Sequence, residues 1–350
     1  MNIGGFNIDN DSQCFIIAEL SANHNGSIEV AKETIRAAKR AGADAIKLQT
    51  YTPDTLTINV QKKDFLINSG SIWDGQTYYQ LYESAYTPWE WHKELFKVAK
   101  EEYLICFSSP FDFTAVDFLE ELDVPAYKIA SFEITDIPLI EYTASKGKPI
   151  IMSTGIASRE DIELALVACK RAGNDQVALL KCTSSYPAPF EEANLKMIKT
   201  FKEDFDVIPG LSDHTMGALM PIVAVSMGAK IIEKHFILDR SVGGPDASFS
   251  MTESEFKEMV EAIRNAEKGL GKVDYTPTEK QVNGRIFSRS LYFVEAIKCG
   301  DKITKENVRS VRPGMGMHPK HFNDILGKQV NRDVERGDRV DWTLIKTKNE

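Results

Sequence analysis

The sequence contains no run of about 18 apolar residues, the length a helix needs to cross a bilayer, so no membrane span is expected. Its start, Met1-Asn-Ile-Gly-Gly-Phe-Asn-Ile-Asp9, lacks the basic and apolar segments of a secretory leader, and none is expected. Cysteine is scarce. Cys14, Cys106, Cys169, Cys182 and Cys299 are odd in number and scattered through apolar runs without a Cys-x-x-Cys pair. That pattern suits reduced thiols in a cytoplasmic protein rather than a disulfide framework. Positive charge is also short: the net charge of −9 argues against nucleic-acid binding. No glycine-rich phosphate loop follows the first apolar run, where the chain reads Ser21-Ala-Asn-His-Asn-Gly-Ser27.

What is present is alternation. A chain of 350 residues, 43% hydrophobic, can bury a large core, and its length suggests two domains. Over residues 1–270, short apolar β-type runs alternate with amphipathic helical segments eight times. The runs are 14–20, 45–50, 104–109, 126–130, 149–154, 177–184, 207–213 and 230–236. Strands without polar alternation are expected where both faces are covered, as in parallel sheets. Eight such units in this length predict a (β/α)8 TIM barrel of the α/β class, with an open doubly wound sheet as the alternative. Gly42, just after the helical segment 28–41, is placed to end that helix in a left-handed conformation.

One connection is unusually long. Residues 51–87 carry Trp73, Tyr78, Tyr79, Tyr82 and Tyr86, which suits a lid, a binding wall or the cover of a subunit contact. After Leu270 the pattern changes. Residues 271–283 read as a linker, and residues 284–350 as a small mainly-β module with strands at 290–294 and 340–342. The module carries 14 Lys and Arg against 9 Asp and Glu, while the rest carries 28 against 42. A basic tail on an acidic body is a docking hint, although solvated surface charge is the commoner reason for such a pattern.

In a barrel of this kind the active site is built from polar residues at the C-terminal ends of the strands. Lys47 and Lys128 stand in the middle of apolar strands, where an unpaired charge is costly. Ringed by serines and threonines, they form a phosphate or carboxylate cradle, or else pair with Glu19, Glu133 or Glu233 in a structural network. Two histidines, His214 and His235, end neighbouring strands. They can hold one divalent metal with positions left open for substrate, or be satisfied by ordinary hydrogen bonds.

Several longer stretches add specificity: Ile-Ile-Ala-Glu-Leu-Ser-Ala-Asn-His-Asn-Gly-Ser, Gly-Ala-Asp-Ala-Ile-Lys-Leu-Gln-Thr, Ala-Tyr-Lys-Ile-Ala-Ser-Phe-Glu, Ser-Thr-Gly, Gly-Leu-Ser-Asp-His-Thr, Glu-Lys-His-Phe and Gly-Pro-Asp. In this order they resemble the sialic acid synthase family over essentially the whole chain. The tail, with Val311-Arg-Pro-Gly, resembles that family's antifreeze-like (SAF) domain. Trp73-Asp, Leu81-Tyr-Glu-Ser-Ala, Trp91-His, Cys106-Phe-Ser-Ser-Pro-Phe and Ser288-Arg-Ser-Leu-Tyr look most like its pseudaminic acid synthases.

The resemblance implies condensation of phosphoenolpyruvate with an open-chain N-acylated aminosugar, giving a nine-carbon 2-keto acid and phosphate. It implies a divalent metal (Mn, Co, Zn or Mg) on His214 and His235, and Glu19 as the group that positions or deprotonates water. Lys47, Lys128, Ser131, Ser153, Ser184 and Ser212 match positions that hold phosphate and carboxylate. Gln49, Ser109, Glu133, Tyr186 and Asp246 match positions around the sugar and metal. It further implies a domain-swapped homodimer in which Arg312 reaches the sugar's N-acyl group in the other chain.

Ser109 and Ser184 stand where neuraminate-forming members carry Thr and Asn, which bears on the choice of sugar. Neuraminate or legionaminate synthesis, and a non-catalytic sugar-phosphate-binding scaffold, are the alternatives. A 6-deoxy sugar calls for an apolar wall, for which Phe249 and Met251 are candidates alongside ordinary core packing.

Overall fold

The apolar runs become short strands because each is bounded by helix caps and turns. In a computed structural model describing residues 1–68, 70 and 73–346, these are β1 Phe15–Glu19, β2 Ala45–Thr50, β3 Ile105–Pro110, β4 Tyr127–Ile129, β5 Ile150–Ser153, β6 Val177–Cys182, β7 Ile208–Asp213 and β8 Ile231–His235. Among the described residues these eight parallel strands close into a barrel, with β8 pairing to both β7 and β1. The principal helices between them are α1 Ile28–Arg40, α2 Trp89–Glu101, α3 Phe113–Glu121, α4 Ile137–Ala144, α5 Arg159–Arg171, α6 Met197–Phe205 and α7 Leu219–Ser226, with α8 Glu253–Leu270 following β8. The Ser27 side chain caps α1, and Gly42 leaves it at φ +88°, the expected left-handed exit.

Side chains alternate between barrel interior and helix layer along each strand. Ile46 and Leu48 share a core with Ile35 of α1 and Leu95 of α2, while Ala45 joins Phe15, Ile17, Phe107, Ile151, Leu180 and Ile231 inside. Both faces are therefore apolar over most of each strand, which hides the period of two. Gly210 of β7 is required by this interior for space alone: an added Cβ would lie 2.4 Å from Leu180 and 2.5 Å from the Ile231 carbonyl.

The other end of the barrel is closed by a feature the sequence reading did not anticipate. Asn2–Ile3 and Phe6–Asn7 form a hairpin around Gly4 and Gly5, both at positive φ. Its Ile3, with the following Ile8, is fully buried in the interior cluster.

The long connection after β2 is folded over most of its described residues. It holds the helices Pro53–Leu56 and Tyr78–Ala85, the second started by a Thr77–Gln80 capping box.

The second unit runs from Lys272. The expected linker is exposed, but Glu279–Gly284 within it is helical, begun by a Thr278–Gln281 capping box. β9 Ser290–Phe293 pairs antiparallel with β10 Val308–Val311 over a core of Leu291, Phe293, Val308, Met317, Ile325 and Val340. The expected strand at 340–342 is not formed. Val340 bonds through its backbone to Leu291 and Met317, but Asp341 then caps the Thr343 N–H and turns Trp342–Leu344 into a 3-10 helix.

Candidate functional site

Parallel pairing in register assembles the barrel mouth. Glu19 of β1 lies beside Lys47 of β2 on one side and His235 of β8 on the other, and Ser212 of β7 lies beside Glu233 of β8. These residues form the last inward layer of the strands, where the interior turns from apolar to polar.

One half of the mouth is a charge-balanced cluster. Lys47 Nζ lies 2.9 Å from Glu19 Oε2 and 3.7 Å from Glu233 Oε1, and donates to Ser109 Oγ at 3.3 Å. Lys128 Nζ donates to Ser153 Oγ at 2.7 Å and lies 3.9 Å from Glu233 Oε1. Ser212 donates to Glu233 Oε1 at 3.0 Å, and Gln49 Nε2 donates to Glu19 Oε1 at 3.0 Å. Glu19 and Lys128 are each only 1% exposed. Removing an ion from water at such depth costs several kcal/mol without a partner. The lysines are thus paired with Glu19 and Glu233, but Glu133 lies outside these ion pairs.

The two carboxylates are not equivalent. Burial pushes Glu19 up to about 7, with Glu233 adding to the rise and Lys47 opposing it. Burial works the same way on Glu233, but Lys128, Lys47 and the Ser212 hydroxyl outweigh it and hold that carboxyl below its ordinary range. Burial pulls Lys128 down despite Glu233, whereas Lys47, opposed by the same burial, is raised by Glu19 and Glu233. Glu233 therefore keeps its charge, and Glu19 is the member that titrates near neutrality.

Beside this cluster, Ser131 and Glu133 sit on a 3-10 turn following β4. Ser131 Oγ is 2.7 Å from Ser184 Oγ, just past the end of β6. Burial pushes the Glu133 carboxyl up to about 7, and its Oε2 is buried without a hydrogen-bond partner.

The other half holds the histidines. His214 Nδ1 lies 3.1 Å from the Thr183 carbonyl, which makes that nitrogen the donor and leaves Nε2 with a lone pair. His235 Nδ1 is buried without a hydrogen-bond partner, 3.8 Å from Asp246 Oδ2. Burial, then His214 and Lys47, hold His235 well below the usual imidazole range.

The two rings are 5.3 Å apart between centroids. Two imidazoles on one ion, with metal–nitrogen bonds of about 2.1 Å, place their centroids roughly 5 Å apart, so the pair fits a shared divalent cation. Among the described residues no group of three His, Cys, Asp or Glu forms a metal site. The protein would supply two nitrogens to an open site.

Aromatic rings wall this half. Tyr186 lies 4.4 Å from His214, and Phe249 lies 5.0 Å from His235 and 5.2 Å from Tyr186. From the long connection Trp73 stacks at a tilt on Tyr186 at 5.4 Å, and its Nε1 donates to the Pro245 carbonyl at 3.2 Å. Asp246 accepts from Ser21 Oγ at 2.5 Å.

Three polar strand residues turn away. Lys234 and Asp213 face the helix layer as a buried ion pair, with Lys234 also donating to the Thr215 carbonyl. Lys181 bonds locally to Cys182 and Thr183. Met251 belongs to the outer core. His92, of the Trp91-His pair, is a core histidine 2.9 Å from Thr50 Oγ1, pushed down to about 4 by burial. Arg312 lies in the second unit, exposed, and makes no hydrogen bond or ion pair with another described residue. Sequence reasoning places Glu233 at a strand end and as a possible partner of the lysines, without a role in the chemistry. Its spacing of two from His235 was the signal that it shares the inward face.

Residues 34–275 match the NeuB family and residues 288–346 match the SAF domain. The chain is 50% identical over 340 residues to the pseudaminic acid synthase of Campylobacter jejuni, covering 97% of this chain and 98% of that protein. It is 46% identical over 318 residues to the pseudaminic acid synthase of Helicobacter pylori, covering 91% and 93%. The crystal structure of N-acetylneuraminic acid synthetase from Leptospira borgpetersenii superposes with a TM-score of 0.73 at 31% identity, covering 81% of this chain and 94% of that one.

Proposed function

The chain belongs to the NeuB family, and from that premise we propose that it is a pseudaminic acid synthase. The reaction is condensation of phosphoenolpyruvate with 2,4-diacetamido-2,4,6-trideoxy-L-altrose to a nine-carbon 2-keto sugar acid and phosphate. The observation that carries this reading is the 50% identity to a protein of that name over 97% of the chain. The geometry supports it by bringing a lysine–serine anion site and an imidazole pair to one barrel mouth.

Phosphoenolpyruvate fits the charge-balanced half. Lys47 and Lys128 are pre-placed among Ser109, Ser153 and Ser212. With Ser131 and Ser184 they would hold the phosphate and carboxylate oxygens with charge-assisted hydrogen bonds. The sugar then lies toward Gln49, Glu133, Tyr186 and Asp246. A divalent cation held by His214 and His235 (Mn, Co, Zn or Mg) supplies Lewis-acid polarisation of the sugar aldehyde when bound.

The carbon 2–carbon 3 double bond of phosphoenolpyruvate supplies the pair for a bond from carbon 3 to the aldehyde carbon. The carbonyl π pair moves to the aldehyde oxygen, which takes up a proton, and positive charge is left at carbon 2. Water adds there, the tetrahedral intermediate collapses, and the bond from carbon 2 to the phosphate oxygen breaks. Glu19, with its carboxyl near 7, is suited to take the proton of that water. Glu233, held charged, favours the protonated form of both lysines, against the burial that opposes it.

The proposal includes a homodimer in which the second unit serves the partner's barrel and Arg312 reaches the sugar's N-acyl group. The exposed connection and the unpartnered guanidinium favour it. The compartment proposed is the cytoplasm, in keeping with five free cysteines and with no described helix long and apolar enough to cross a membrane.

The test is phosphate release from phosphoenolpyruvate and a divalent metal with a panel of sugars. Turnover should be fastest with the diacetamido trideoxy sugar. Faster turnover with N-acetylmannosamine would reject the pseudaminate assignment, and no release with any sugar would favour a non-catalytic scaffold.

A further inference from the structure

Gly155, in the Ser153-Thr-Gly turn after β5, stands where no side chain fits. An added Cβ would lie 2.1 Å from Ser184 Oγ, 2.5 Å from Ser131 Oγ and 3.1 Å from Cys182 Sγ. Its φ is outside the left-handed region, so glycine is not demanded by backbone conformation. What it supplies is room, and the occupants of that room are two serine hydroxyls 2.7 Å apart. They come from separate loops, one after β4 and one after β6, on either side of β5. The turn is closed by the Ala157 N–H bonding to the Thr154 carbonyl at 3.1 Å. The Gly155 and Ile156 N–H groups make no hydrogen bond to another described residue.

We propose that Gly155 is a positioning residue for phosphoenolpyruvate: its missing side chain lets the Ser131 and Ser184 hydroxyls converge on the backbone of the β5 turn as a joint donor pair for the phosphate. The proposal rests on the assignment of those serines to the phosphate. A methyl group at 155 would overlap both oxygens, since real contacts to a Cβ stay beyond 3.0 Å. One or both serines would have to leave. Lys47, Lys128 and Ser153 do not enter the clash, so the loss falls on one part of the phosphate shell and not on the sugar.

The experiment is a double-mutant cycle with steady-state kinetics in both substrates. Gly155→Ala should raise KM for phosphoenolpyruvate at least about tenfold while KM for the sugar stays within about twofold. Ser184→Ala should raise the same constant, and the double variant should match the worse single variant, because both changes remove the same hydroxyl. Where Gly155→Ala alone does not fold, the double variant lacks the nearer clash and carries the readout: its KM for phosphoenolpyruvate should exceed that of Ser184→Ala, because the methyl still meets Ser131 Oγ at 2.5 Å, while KM for the sugar stays within about twofold. Additive effects, equal rises for both substrates, or an unchanged Gly155→Ala overturn the role of Gly155. If Ser184→Ala itself leaves KM for phosphoenolpyruvate unchanged, the phosphate assignment fails and the proposal falls with it.

Discussion

The two halves of the barrel mouth are built on opposite principles. Around Lys47 and Lys128 each ammonium has a carboxylate beside it: Glu19 and Glu233 balance the lysines, Gln49, Ser109, Ser153 and Ser212 add hydrogen bonds, and the oxygens left without one, Glu19 Oε2 and Glu233 Oε2, belong to the paired carboxylates themselves. In the histidine half it is a ring nitrogen, His235 Nδ1, that is buried without a hydrogen-bond partner. Because an unsatisfied buried polar group costs on the order of 1–3 kcal/mol, the second half is under a tension that a ligand would relieve. The lysine half is charge-paired as it stands, and the imidazole half keeps a ring nitrogen for a ligand to satisfy.

The largest test of this contrast removes an imidazole. His214→Ala or His235→Ala should lower turnover by orders of magnitude, because electrophilic polarisation is worth several kcal/mol, with the thermal transition near wild type. Full activity of either variant after chelation and dialysis would end the metal assignment.

Next in size is Glu19→Gln, expected to cost roughly 10²–10⁴-fold in turnover as loss of a proton acceptor. The wild-type kcat/KM should rise with pH through about 7, where the Glu19 carboxyl ionises, and the variant should lose that limb. Glu133 ionises in the same region, so Glu133→Gln must keep the limb for the assignment to stand. The stability sign runs the other way. A carboxyl raised from 4.5 to about 7 holds its proton longer in the folded state, so its contribution is full below 4.5 and is lost as pH rises toward 7. Melting curves of Glu19→Gln should therefore fall less between those values than wild type.

Arg312 asks whether the incomplete half is finished by another chain. Arg312→Ala should lose about 10–100-fold in kcat/KM for the sugar, the worth of a charged hydrogen bond. Mixed with a Glu19→Ala chain under subunit exchange, it should regain about a quarter of wild-type activity, since half the dimers then carry one intact site. No recovery after demonstrated exchange would confine Arg312 to its own chain or remove it from the site.

The smallest effect is expected at the aromatic wall. Phe249→Leu should shift the sugar KM by about tenfold or less, the scale of a small change in an apolar pocket, and leave KM for phosphoenolpyruvate alone. A change confined to phosphoenolpyruvate would mean that the wall serves the other half.

The barrel was legible because eight apolar runs alternate with helical ones, and Gly42 marks its helix end without tertiary help. Lys47 and Lys128 announced themselves by being charged inside apolar strands. Other features depended on partners far away in sequence. The hairpin at residues 2–7 is too short to display a period, and its burial is decided by Ile105 and Phe15. Trp73 reaches Tyr186 and Pro245 across more than a hundred residues, which no local pattern encodes. The pleat decides which way neighbours face: Lys234 and Asp213 turn outward into a buried ion pair, while Glu233, two residues before His235, turns inward beside the lysines. Asp341 ended the expected last strand by accepting from both the backbone N–H and the hydroxyl of Thr343.

The pairing of β1 with β8 also has a consequence for how the protein is made. Glu19 and His235 are neighbours in register, yet 216 residues of chain separate them. A ribosome that has delivered β1 to β7 has supplied Lys47, Lys128 and Ser153 but neither Glu233 nor His235. Contacts of such long sequence separation are the slow ones to form. Barrel closure is thus the event that assembles the mouth: partly assembled chains carry lysines without Glu233 to balance them, and only a completed ring holds Glu19 and His235 side by side.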